Sequence, residues 1–254
     1  MRALYLTIAL AGCGAPPTGE GPAQALPLPD AIAPAPSVPE PLPDPVDPRC
    51  DALECDCPNG DCMPAFASTA APLSDALRTQ MTDVTWREGC PVGLDALAAL
   101  HVSHWNQEGT VELGLIVVDA TVADDVASVF RSLYYARFPI TQMRPAAEFG
   151  GDDARSMEVD NTSAFNCRPI TRGSSFSRHS HGTAIDLNPL RNPYVKGDRV
   201  LPPAGREWLE RDPSAPGVIT EEGPVVAAFR RIGWRWGGAW SSAKDYQHFS
   251  TDGR

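Results

Sequence analysis

The chain has five histidines, and two of them, His179 and His181, fall in SRHSHGTAID just ahead of Asp186. Read as a turn followed by a strand, HSHGTAIDLN puts Ile185 and Leu187 on one face and Asp186 on the other, because side chains alternate along an extended chain. Gly182 permits the reversal that brings a histidine back beside Asp186. Ala184 is small and leaves room next to the acid. A converging imidazole and carboxylate suit zinc. His248, in DYQHFS, is available as a third ligand, with Asp245 three residues before it. On a helical or tight turn that spacing points both side chains the same way. His248 would then hold the metal while Asp245 stands beside the open coordination position. Three protein ligands and a water form the catalytic zinc pattern. The metal brings the pKa of that water to about 7. A carboxylate that takes the proton and passes it to a leaving amine is typically worth ~10²–10⁴ in rate.

Such a site must be held by regular elements. VELGLIVVDA alternates Val111, Leu113, Leu115 and Val117 on one face, which predicts a strand. In TVADDVASVFRSLYYARF the residues Val122, Val126, Val129, Phe130 and Leu133 recur at helical spacing, and Asp124 and Asp125 occupy the first turn, where the helix dipole favours acids. A further helix is predicted from Glu222 to Ile232, with Pro224 early and Gly233 as its stop. TAIDLN and GWRWGG read as strands. This order predicts an α+β fold, a single compact domain with a small antiparallel sheet and flanking helices. A surface strand accounts for His101 and His104 in HVSHW, and Trp234, Trp236 and Trp240 read as core and cleft wall. No internal repeat is visible.

Composition limits the alternatives. The 254 residues include 43% hydrophobic residues, enough for a core, and carry a formal net charge of −11. That charge argues against a nucleic-acid partner, which needs clustered Lys and Arg. No apolar run reaches the ~20 residues that span a bilayer. The N-terminus, MRALYLTIALAGCG, has a basic Arg2 and an apolar stretch from Leu4 to Ala11. LAGC resembles a bacterial lipobox, which implies a signal peptide at 1–12 and lipidation of Cys13 as the mature N-terminus. Residues 13–48 are rich in Pro and Ala without periodicity, a disordered, extended linker of polyproline type. Residues 49–83 form a Cys-rich segment to which no fold is assigned, and 84–254 is the catalytic domain. Seven cysteines less Cys13 leave six, so an exported chain favours disulfides. Cys50, Cys55, Cys57 and Cys62 read as two short-loop disulfides, with zinc as the competing reading. Cys90 and Cys167 remain as a pair whose long loop is worth about 4–5 kcal/mol in the chain-entropy model.

SRHSHGTAID follows the pattern S-x-H-x-x-G-x-A-x-D, and GWRWGGAWSSAKDYQHFS follows G-W-x-W-G-G-x-W with D-x-x-H-F. Together they resemble the zinc D-alanyl-D-alanine carboxypeptidases and L-alanyl-D-glutamate endopeptidases, which cut peptidoglycan stem peptides and are related to the vancomycin-resistance D,D-peptidases. The likeness extends upstream through FPITQMRP and SMEVDNTSAFNCRP. It implies one zinc ion held by His179, Asp186 and His248, with Asp245 as general base. The motif selects His179 over His181, which becomes a residue behind the ligands or at the surface. Arg168, in NCRP, falls where such enzymes carry an arginine, for an oxyanion or a substrate carboxylate. Ser177 would orient the first ligand. Asp245 matches the endopeptidase branch, whereas NTSAFNCR resembles the carboxypeptidases, so the bond cleaved stays open. The resemblance and the leader together imply a lipid-anchored enzyme of the bacterial cell envelope, on its periplasmic or extracellular face. A non-catalytic peptidoglycan-binding lipoprotein is the alternative.

Overall fold

The computed structural model describes residues 55–56, 63–170 and 175–253. The expectations for 1–12, for Cys13, for the linker 13–48 and for the pairing of Cys50, Cys55, Cys57 and Cys62 lie outside the described residues. Strand β1 (Cys55–Asp56) pairs with β2 (Met63–Pro64). Strand β3 (Ser68–Pro72) leads into helix α1 (Asp75–Met81), which Ser74 caps by accepting from the Leu77 N–H. Two long strands, β4 (Leu97–Trp105) and β5 (Val111–Asp119), precede helix α2 (Ala123–Tyr135). Strands β6 (Gln142–Met143) and β7 (Asn161–Thr162) flank helix α3 (Asp153–Glu158). Then come β8 (Ala184–Asp186), β9 (Tyr194–Lys196), β10 (Arg199–Leu201), helix α4 (Pro224–Arg231), β11 (Arg235–Trp236), β12 (Lys244–Asp245) and β13 (His248–Ser250). The fold is α+β, with small sheets ordered β3-β4-β5, β11-β13-β8 and β10-β9-β12. Pairing within these three is antiparallel, while β6 and β7 pair parallel.

The core forms on both sides of β4. Leu100 and Val102 meet Val126, Val129, Phe130 and Leu133 of α2, the residues whose helical spacing marks one face. Leu97 and Ala99 face the other way, against Leu77 and Met81 of α1 and against Val117 and Phe165. The packing therefore extends upstream of Val84. It also corrects the face of β5. Ile116 and Val118 enter the main core and Val117 the second cluster, while Leu113 stays 64% exposed. Alternation identifies a strand, but a strand packed on both faces does not announce which face is the larger core. The surface reading of the HVSHW histidines is corrected in part: His104 lies in the central strand at 2% exposure, and burial pushes its pKa below the usual imidazole value.

Helix α4 starts with Pro224 in its first turn, and Gly233 follows it at φ 79°. Its Phe229 stacks on Phe249 of β13 with ring centroids 4.0 Å apart, and both rings are fully buried. That contact seats β13 on the core. Cys90 and Cys167 form a disulfide across a separation of 77 residues, the pair expected from the cysteine count.

Candidate metal centre

Sheet register positions two of the three proposed ligands. In the β13–β8 pair His248 is directly opposite Asp186, and Phe249 opposite Ile185. Ile185 and Leu187 point into the core, so Asp186 and His248 share the other face. A slip of one residue would turn both side chains inward. The His248 Nδ1 lies 2.9 Å from Asp186 Oδ1.

The third side chain arrives on a turn. Residues Arg178–His181 form a short 3₁₀ helix, and Ser177 Oγ accepts from the His179 N–H at 3.3 Å. Gly182 follows at φ 69°, and a Cβ there would sit 2.4 Å from the Asp119 backbone nitrogen. Only glycine fits both the backbone angle and that approach. His179 Nε2 comes within 3.2 Å of Asp186 Oδ2 and 3.2 Å of His248 Nδ1. Among the described residues these three side chains form a group whose ligand atoms all lie within 4.8 Å of one another.

The ring nitrogens have defined roles. His179 Nδ1 lies 2.6 Å from the Ala164 carbonyl oxygen, which can only accept. The proton is therefore on Nδ1, and in the neutral ring Nε2 turns its lone pair towards Asp186 and His248. Two imidazole nitrogens and a carboxylate facing one point are mutually satisfied only by a proton or a cation between them. Burial would raise the Asp186 pKa, but the charges and hydrogen bonds of His179 and His248 hold it far below the usual carboxylate range. The donor set fits a small divalent cation.

Asp245 stands beside this group, though not by the expected turn. It ends β12, opposite Tyr194 of β9, while His248 begins β13 in a different sheet. Tyr246 and Gln247 carry the chain across. Gly237 makes the approach possible, since a Cβ there would lie 2.8 Å from the Asp245 Cβ. Asp245 Oδ1 is enclosed without a hydrogen-bond partner among the described residues. Burial, with the negative charge of Asp186, pushes the Asp245 carboxyl up to about 7, against the opposing charges of His248, His179 and Arg168.

All four side chains open into a cavity of about 1050 Å³ whose wall includes Arg168, Phe176, Tyr194 and Trp240. Arg168 is ion-paired with Asp153. Its backbone N–H donates to Ser180 Oγ at 2.9 Å, which ties its segment to the turn carrying His179. His181 is half-buried and lines the same cavity without joining the cluster. Sequence reasoning missed the Ala164 carbonyl, because a backbone acceptor leaves no mark in residue type. It also missed Asp153, an acid in a polar helix start with no motif around it.

Residues 171–251 match the family model described as D-alanyl-D-alanine carboxypeptidase, and this span contains His179, Asp186, Asp245 and His248. The match supports the resemblance read from the two motifs and a peptidase class, and the His–Asp–His group within the matched span could hold a metal. Comparison with curated proteins and with solved structures gives no match.

Proposed function

We propose that the chain is a zinc-dependent peptidase acting on peptidoglycan stem peptides, at a terminal D-Ala-D-Ala bond or an L-Ala-D-Glu bond. One observation carries the reading: Nε2 of His179, Nδ1 of His248 and the Asp186 oxygens converge, with Asp245 lining the same cleft. With one ligand atom taken from each residue, the three lie within 4.8 Å of one another, close enough to share one ion. Zinc held by His179, Asp186 and His248 would supply Lewis acidity to a water and a scissile carbonyl.

The protein residues handle the proton and the substrate. Asp245, which lines the cavity, accepts a proton from the attacking water on its carboxylate and returns it to the leaving amine. A carboxyl titrating near neutrality suits both transfers. Asp186 remains ionised and offsets the charge of a cation. The Ala164 carbonyl fixes the tautomer of His179, and Ser177 fixes the turn that carries it. Arg168 adds positive charge to the cavity wall, for a developing oxyanion or a substrate carboxylate. The LAGC sequence extends the proposal to a lipid on Cys13, with residues 13–48 as a spacer from the membrane of the cell envelope.

Incubation with defined muropeptides, read by mass spectrometry, tests the reading and identifies the bond. A chelator is expected to abolish cleavage and zinc to restore it. Asp245→Ala should retain the metal and lose turnover by ~10²–10⁴-fold. Digestion by that variant at the wild-type rate would remove the mechanism, and binding without cleavage by the wild type would replace the enzyme with a recognition protein.

A further inference from the structure

A second cavity, of about 480 Å³, adjoins the metal centre, and Trp240 and Gly253 line both. Trp240 forms a fixed ledge between them. Its Nε1–H donates to the Gly253 carbonyl at 2.8 Å, and its ring centroid is 5.8 Å from that of His248. Beyond the ledge the wall is built from Trp234 and Trp236, both nearly buried, with Arg230, Arg235 and Glu221 around them. Trp236 is held by its Nε1–H on the Tyr246 carbonyl at 2.8 Å and by close contact with Gly238, where a Cβ would meet the ring.

The charges of this cavity stand out in a chain of net charge −11. Arg230 and Arg235 are exposed and make no ion pair or hydrogen bond among the described residues. Asp252 is already matched by Arg178. Two guanidinium groups without an ion pair among the described residues, lining one cavity with the half-buried Trp240, suit a carboxylate on an extended, partly apolar carrier. Arginine takes carboxylates in a bidentate fork, and indole faces cover methylene groups. The volume falls in the ~300–1,000 Å³ range of small-ligand pockets.

Building on the peptidase reading, we propose that this cavity is a second subsite, which holds a carboxylate-bearing segment of the peptide remote from the bond cut at the metal centre. Arg230 and Arg235 bind the carboxylates, Glu221 meets an amine, and the peptide crosses the Trp240 ledge. Binding energy gained there positions the scissile bond, so it enters kcat/KM rather than affinity alone.

The test compares one stem peptide with free carboxylates away from the cleaved bond with the same peptide amidated at those groups. The wild type is expected to prefer the free form by about tenfold in kcat/KM, from one or two charge-assisted contacts. The preference should shrink as salt is raised. The double variant Arg230→Gln/Arg235→Gln, at two exposed positions, should bring the ratio close to one. Equal cleavage of both peptides by the wild type, or a preference that survives the double variant, would overturn the subsite. Calorimetric titration of the metal-stripped protein with the free peptide separates this from failure of the peptidase reading. Weaker binding by the double variant supports the subsite even if nothing is cleaved, and equal binding removes it.

Discussion

The two halves of the described chain are held together differently. The β3-β4-β5 sheet has two nine-residue strands, with α2 packed on one face and α1 on the other. Its cohesion comes from apolar area removed from water. The strands that carry Asp186, Asp245 and His248 are only two or three residues long. Ladders that short do not hold a position, and buried polar side chains do it instead. Asp160 accepts from the Leu190 N–H, from Thr141 Oγ1 and from Arg191 Nε. Asn192 donates to the carbonyls of Leu187, Asn188 and Gly217, and its own oxygen accepts from Arg211 and from the Ile219 N–H. Arg211 in turn lies over the Tyr246 ring at 4.4 Å, beside Asp245. Apolar packing is non-directional and tolerant of small shifts, whereas hydrogen bonds fix direction. The long sheet supplies stability, and the polar loops supply the geometry of the site.

Substitutions on each side should separate those roles. Phe130→Ala empties a ring that is 1% exposed in the main core and is expected to cost about 3–5 kcal/mol of folding stability. Metal affinity of the folded fraction should stay within about threefold of wild type, since Phe130 does not line the cavity that holds His179, Asp186 and His248. Asn192→Ala should cost less, about 1–3 kcal/mol, by leaving buried carbonyls and an N–H unpaired. Its effect on turnover should be the larger of the two, because the 187–193 loop joins Asp186 to the strand opposite Asp245. Denaturant melts with activity assays on the two variants check the ordering. Loss of metal affinity in Phe130→Ala, or full activity in Asn192→Ala, would erase the distinction.

The same contrast explains what could be read from the sequence. The His179–Asp186–His248 group was legible because a turn and a strand place His179 and Asp186 within a few residues, and His248 with Asp245 forms a second short motif near the end. Helices α2 and α4 were legible from apolar spacing and from Asp124, Asp125, Pro224 and Gly233 at their ends. β3 was hidden because Ser-Thr-Ala-Ala-Pro is exposed throughout and carries no hydropathy pattern. His104 was misread because a histidine in a doubly covered strand looks like one at a surface. The crossover between Asp245 and His248 was misread because spacing alone cannot distinguish one turn from two strands of different sheets. Nothing in the sequence marks Asp160 as a hub, since its role depends on backbone donors and on a positive φ of 56°.

The smallest effect should come from pH, and it tests the polar half alone. Asp245 is half-buried, so water relaxes part of its charge and the change in stability is modest. In the metal-free protein its carboxyl titrates at about 7, above its unfolded value near 3.9. Between those values the folded state keeps a proton that the unfolded state releases. Its contribution is therefore complete below the unfolded pKa and is lost as pH rises towards 7. Asp186 runs the other way: its depressed pKa stabilises the fold above about 3.9, and that contribution fades only on acidification. From pH 4.5 to 7.5 the metal-free Tm should thus fall more in the wild type than in Asp245→Asn, which cannot titrate there. Added zinc favours the ionised carboxylate and deprotonated imidazoles, so its stabilisation should grow over the same interval. Identical Tm profiles for the wild type and Asp245→Asn would show that the carboxylate is as well solvated in the folded protein as in the unfolded chain, and that the enclosed Oδ1 is not a feature of the metal-free state.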